Sequence, residues 1–156
     1  MPIEKLTSYL DEEGVKFVVI KHSRAFTAQE VAASAHIPGK EMAKTVMVKV
    51  DGEMAMTVLP ASYQVDLNRL RDRTGAESVE LASEDDFKEL FPDCEVGAMP
   101  PFGSLYGMKT FMAAVLAEDE EIAFNAGSHT ELIRMSFADY FRLEDPIELQ
   151  FALEPA

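Results

Sequence analysis

Thr45-Val46-Met47-Val48-Lys49-Val50, followed by Asp51-Gly52 and then Glu53-Met54-Ala55-Met56-Thr57-Val58-Leu59, is the stretch that decides the fold. Two alternating runs flank an Asp-Gly pair, and such a pair readily takes the positive φ angles of a two-residue hairpin turn. An antiparallel β-hairpin is therefore expected over 45–59. Lys44 stands at the mouth of its first strand.

Upstream, Ile3, Leu6, Tyr9 and Leu10 recur at helical spacing, and Gly14 stops that helix. Residues 16–22 (KFVVIKH) read as a β-branched strand. Thr27-Ala28-Gln29-Glu30 is a capping-box pattern opening a helix to about Ala35, and Pro38-Gly39 ends that region. Downstream, 65–74 (VDLNRLRDRT) reads as a helix ending at Gly75, and 79–81 as a short strand. Ser83 caps a helix to about Phe91, with Asp85 and Asp86 in its first turn. Residues 110–116 and 121–125 bracket an acidic turn and predict a second hairpin. A strand over 132–135 and a helix over 136–141 follow, and the tail after Asp145-Pro146 is expected to be loosely attached. Hairpins interspersed with helices predict a mixed α/β (α+β) fold, a mixed sheet wrapped by helices, in one domain over 1–156.

A chain of 156 residues can bury roughly 68–70% of its unfolded surface, enough for a core without staples. The single cysteine, Cys94, cannot form an internal disulfide, and with no base nearby in sequence it reads as an unreactive thiol. The N-terminus lacks a signal pattern, and the longest apolar stretch, 111–117, is far short of the roughly 20 residues of a membrane helix. A cytoplasmic protein without a membrane partner is expected.

Net charge is −14, which argues against a DNA-binding groove or any broad phosphate surface. The charge is uneven. Between Ala35 and Gly75, six basic residues face five acids, whereas eight acids lie between Glu77 and Glu95 and ten from Glu118 onward. A local cationic site on an acidic body fits this pattern. Arg69, Arg71 and Arg73 do not form a single grip, because i,i+2 spacing turns helical neighbours apart.

Three pieces offer chemistry. The ammonium of Lys44 is placed to meet a phosphate or a carbonyl oxygen, although a solvated lysine fits the same position. Gly97-Ala98-Met99-Pro100-Pro101-Phe102-Gly103 is a stiff loop with glycine hinges. Its Ala98, Met99, Phe102 or Gly103 amides can face an oxyanion or a ribose; the alternative is a rigid surface turn. Asn125-Ala126-Gly127-Ser128-His129 brings an imidazole that either orients water or is a satisfied structural histidine. His22 and His36 share no metal spacing with His129 or with a cysteine, so no metal and no cofactor is expected.

In this order, the three pieces resemble the YbaK / prolyl-tRNA-synthetase-associated editing-domain family. The opening pattern His22-Ser23-Arg24-Ala25-Phe26-Thr27-Ala28-Gln29-Glu30-Val31-Ala32 is similar to that family as well, and the likeness runs from about Val15 to Tyr140. The resemblance implies a curved, partly barrel-like sheet. It implies a trans-acting aminoacyl-tRNA deacylase that hydrolyses the ester of a mischarged tRNA, tRNA for proline carrying a small wrong amino acid. Water attacks there without metal or covalent intermediate, often aided by a substrate hydroxyl. Lys44 matches the family's important lysine. Gly97 and Pro101 match its Gly-x-x-x-Pro pocket loop, with His22, Gly127 and Ser128 beside the substrate. His129 matches a histidine found in part of the family, giving Lys44 and His129 as the catalytic pair. The acceptor end of aminoacyl-tRNA is the implied partner, with an aminoacyl-tRNA synthetase as a second one. Two other functions fit the same residues: a non-catalytic nucleotide- or aminoacyl-binding module, and a small-ester hydrolase that needs no tRNA.

Overall fold

A computed structural model describes residues 3–22 and 41–154. The expected capping box at Thr27, the helix to Ala35, the break at Pro38-Gly39 and most of the opening pattern after His22 lie outside the described residues.

The 45–59 hairpin forms as expected. Strand β2 (Ala43–Val50) pairs antiparallel with β3 (Glu53–Pro60), Val50 opposite Glu53. Asp51 and Gly52 take φ of 51° and 83°, the conformation that matches the twist of the flanking strands. This hairpin is the centre of a five-stranded sheet in the order β5-β2-β3-β6-β9, where β5 is Val79–Leu81, β6 is Lys109–Ala113 and β9 is Ile147–Leu149. A second, antiparallel sheet runs β1-β8-β7, from Phe17–Lys21, Glu131–Ser136 and Glu121–Ser128. Among the described residues, a parallel bridge, Met42 to Ala123, joins the two. The mixed α/β architecture matches expectation, but the sheet is not closed into a barrel.

Helix α1 (Glu4–Glu12) ends before Gly14, whose φ is 69°, and buries Leu6 and Leu10. They join Met56, Phe102, Phe124 and Tyr140 in the main core. Helix α2 (Leu67–Thr74) is capped by Asp66 and covers the other face of the five-stranded sheet through Leu70, with Val48, Leu59, Phe111 and Phe151. It starts later than expected, because Val65 belongs to β4 (Gln64–Val65). Ser83 and Asp86 form the full capping box of α3 (Glu84–Phe87), after which Lys88–Leu90 tightens into a 3₁₀ turn. Helix α4 (Phe137–Glu144) is capped by Ser136.

Two further expectations fail. Residues 110–116 and 121–125 are not hairpin partners: β6 lies between β3 and β9, parallel to both, whereas β7 pairs with β8. From Thr110 to Ala113 every side chain is buried, the pattern of a central strand covered on both faces rather than of a hairpin arm. The 3₁₀ turn Ala114–Glu118 carries the chain from one sheet to the other. The tail is not loose either. Strand β9 completes the large sheet, β10 (Ala152–Leu153) pairs with β4, and Phe151 is 0% exposed. Burying a side chain of that size stabilises by about 1.5–3 kcal/mol.

Candidate active site

The β7–β8 hairpin builds the site through a bulge. Asn125 pairs with Leu132, but the next partners are Ser128 and Glu131, so two extra residues, Ala126 and Gly127, are set out of register. Gly127 takes φ of 99°, and a Cβ there would collide with Ile3. Its main-chain groups turn away from β8 to the loop: its N–H donates to Ala98 O at 2.9 Å, and its carbonyl accepts from Glu95 N–H at 2.7 Å. Bulges commonly re-aim a strand beside functional sites. Here the bulge holds loop 97–103 against the small sheet.

Other elements fix the same loop. His129, only 4% exposed, donates Nε2–H to Val96 O at 2.8 Å, and its Cε1 lies 3.5 Å from where a Gly97 Cβ would stand. Tyr140 of α4 donates its hydroxyl to Pro101 O at 2.8 Å. Gly103 N–H donates to Thr110 Oγ1 at 3.0 Å; that hydroxyl donates to Glu144 Oε2 at 2.6 Å, and Ser104 Oγ to Glu144 Oε1 at 2.5 Å. Burial pushes the Glu144 carboxyl above the usual carboxylate range, partly offset by these hydrogen bonds.

This arrangement changes the reading of the loop. Residues 98–103 are all buried, and Gly97 is the exposed corner. The Ala98, Phe102 and Gly103 amides donate to Glu95 O, Pro100 O and Thr110 Oγ1, so they do not face an oxyanion; at most the Met99 amide is left. Pro100 and Pro101 are packed into the wall rather than bracing an exposed turn.

His22 extends β1 by donating its main-chain N–H to Thr130 O at 2.9 Å, beside His129. Ser128 Oγ lies 3.3 Å from Thr130 Oγ1 across the tip of the same hairpin. Gly97, Gly127, Ser128, His129 and His22 are thus brought together around one turn. A cavity of about 480 Å³ opens beside them, lined by Cys94, Glu95, Gly127, Ser128 and Glu131 among others. A roomier one, about 830 Å³, lies at the Asp51–Gly52 end of the large sheet, away from this chemistry. Burial pushes the Cys94 thiol up, and its near neighbour is the Tyr106 hydroxyl at 3.6 Å, in keeping with an unreactive thiol.

Lys44 stands next to β7 through the bridge between the sheets. Met42 pairs with Ala123 in parallel, so Lys44 and Asn125, each two residues on, emerge on the same face where the strands part. Lys44 is half-buried, burial lowers its pKa, and it has no ion-pair partner among the described residues. Lys49 and Arg134, by contrast, are paired with Asp86 and with Glu41 and Glu121. Among the described residues no three His, Cys, Asp or Glu side chains converge as a metal needs, and no helix is long and apolar enough to cross a membrane.

Residues 22–143 match the model of the aminoacyl-tRNA editing domain, and the chain belongs to that family. It is 31% identical over 153 residues to the multifunctional Ser/Thr-tRNA deacylase ProXp-y of Escherichia coli (strain K12), covering 95% of this chain and 91% of the relative. Over 75 residues it is 33% identical to a proline–tRNA ligase of Bacillus mycoides (strain KBAB4), 48% of this chain and 13% of that one. Two crystal structures share the fold: the hypothetical protein APE2540 (TM-score 0.85, 18% identity, 96% of this chain and 99% of the other), and a candidate trans-editing enzyme for prolyl tRNA synthetase (TM-score 0.79, 17% identity, 97% and 96%).

Proposed function

We propose that this chain is a trans-acting aminoacyl-tRNA deacylase, which releases a small, wrongly attached amino acid from the 3′ end of tRNA for proline. Family membership supports the reaction class, and the E. coli relative is named as a deacylase along nearly its whole length. The observation that carries the site is Lys44. A half-buried ammonium with no counter-ion among the described residues is costly, and a negative ligand repays that cost. The phosphate of the terminal adenosine and the developing oxyanion of the ester are two such ligands.

In this reading water attacks the ester carbonyl, the C–O bond to the ribose breaks, and the amino acid leaves with a free tRNA end. The protein contributes orientation and charge stabilisation. The Gly97 corner and the bulged turn at Gly127 shape the wall against which the acyl group rests. His129, its Nε2 committed to Val96, is a positioning residue for that wall rather than the group that activates water. Discrimination against one methylene yields only about 10–200-fold, so editing after charging is needed for small amino acids. With −14 overall, the grip is confined to the acceptor end, and a synthetase partner would supply further contacts.

The test is a deacylation screen over tRNAs charged with alanine, serine, threonine and cysteine, with Lys44→Ala as the control. Turnover on at least one, lost in the variant, is expected. Unchanged turnover in Lys44→Ala removes that residue from the mechanism, and no turnover on any of them rejects the reaction.

A further inference from the structure

We infer that Asn125 is a second donor to the oxygen that Lys44 holds, completing a two-point clamp on the ester in place of the loop amides. The inference rests on the deacylase reading above. The Ala98, Phe102 and Gly103 amides are spent inside the fold, so the charge that develops on a carbonyl oxygen needs another neutral donor. Asn125 is placed to supply it. It is only 8% exposed, it sits at the last regular pair of β7 before the bulge, and it leaves its strand on the same face as Lys44. Its Oδ1 is sealed from water, and neither Oδ1 nor Nδ2 has a hydrogen-bond partner among the described residues. A buried polar group left unpaired costs stability, and such groups in native folds call for a functional reason. A carboxamide beside an ammonium can direct an N–H at an oxyanion that the ammonium alone would hold without orientation.

The experiment compares Asn125→Leu, which removes the donor at similar size, and Asn125→Ser, which keeps a shorter one, with the wild-type chain. Turnover is measured on an aminoacyl-tRNA, and affinity on a phosphonate analogue of aminoacyl-adenosine that carries the tetrahedral oxyanion. The Leu variant is expected to melt at the wild-type temperature or above, while kcat falls about a hundredfold, KM changes little and the phosphonate binds correspondingly less tightly. The Ser variant should recover part of both losses. Wild-type kcat and phosphonate affinity in the Leu variant, or a melting temperature that falls while kcat holds, overturns the inference. If the wild-type chain turns over no aminoacyl-tRNA, the deacylase reading fails by itself. The phosphonate titration still decides Asn125, since equal affinity in wild type and the Leu variant refutes its role as an oxyanion donor.

Discussion

His129 Nε2 and the carbonyl oxygen of Val96 lie 2.8 Å apart, although 33 residues separate them along the chain. This hydrogen bond ties the tip of the β7–β8 hairpin to the hinge of the pocket loop. The imidazole ring then packs under Gly97, its Cε1 3.5 Å from where a Cβ would stand. A histidine serving as general base would keep one nitrogen open to water, whereas here Nδ1 is sealed inside the fold. This one spends Nε2 on holding a backbone corner.

His129→Ala is therefore expected to destabilise the fold by about 1–3 kcal/mol, through the lost hydrogen bond and the space left by a buried ring, and to lower kcat/KM. His129→Gln, which can still donate to Val96, should recover much of both. Thermal melts and deacylation rates on the two variants check it; full loss of turnover in the Gln variant at wild-type stability would assign the ring a chemical role instead.

Gly97 has φ of 85°, and its nearest would-be contact, His129 Cε1, is at ordinary van der Waals distance. Backbone conformation rather than space is the constraint. Gly97→Ala should cost about 1–2 kcal/mol, with Asn tolerated better than Val at the same position. Urea unfolding of the three variants gives the ranking.

Lys44 should trade stability for activity. Burial lowers its pKa below the unfolded value of about 10.4, so the folded state holds its proton less tightly than the unfolded one. Its contribution to stability then rises as pH climbs through the folded pKa toward the unfolded one, and at neutral pH its charge is a liability. Lys44→Met is expected to melt at or above the wild-type temperature at pH 7 while losing deacylation. A clear drop in melting temperature would show that the lysine serves the fold.

Glu144 accepts from Ser104 N–H and from the Ser104 and Thr110 hydroxyls. Glu144→Ala leaves these donors without their acceptor and should destabilise by about 1–3 kcal/mol, loosening the loop beyond Phe102. Hydrogen exchange at the Gly103 and Ser104 amides should quicken in the variant; unchanged protection would show that the loop stands without the carboxylate.

Asp86 carries an acid-side signature. Hydrogen bonds from the Ser83 main chain, Lys49 and the Ser83 hydroxyl hold its carboxyl at about 2. The stabilisation is complete above the unfolded value of about 3.9 and is lost as pH falls toward 2. Asp86→Asn should flatten that part of the acid unfolding curve, followed by circular dichroism between pH 5 and 2.

The elements legible in the sequence were those whose signal is local. The Asp51-Gly52 turn, the alternation around it and the Ser83 cap depend on neighbours within four residues. The Thr110 to Ala113 run was misread as a hairpin arm because a buried central strand and an edge arm share an apolar run; only the partners β3 and β9 tell them apart. The tail was missed because strands of two and three residues leave no period to detect. Within the site, glycines at 97 and 127 announced unusual backbone, whereas the burial of 98–103 did not show. It is imposed by Tyr140 and Glu144, 39 and 34 residues beyond their partners Pro101 and Thr110. Asn125 reads in the sequence only as the end of the 121–125 strand, because its place beside Lys44 arises from the Met42–Ala123 bridge between two sheets.

The long reach from α4 back to the pocket loop has a consequence for biosynthesis. At about 5–20 residues per second, a ribosome takes roughly 2–8 s to travel from Pro101 to Tyr140. Throughout that interval the nascent polypeptide carries its bend and its lysine but not the clasp that sets them. The pocket loop of the growing chain thus lacks this anchor until its last helix has been made and has emerged, and premature termination before α4 leaves the loop without it.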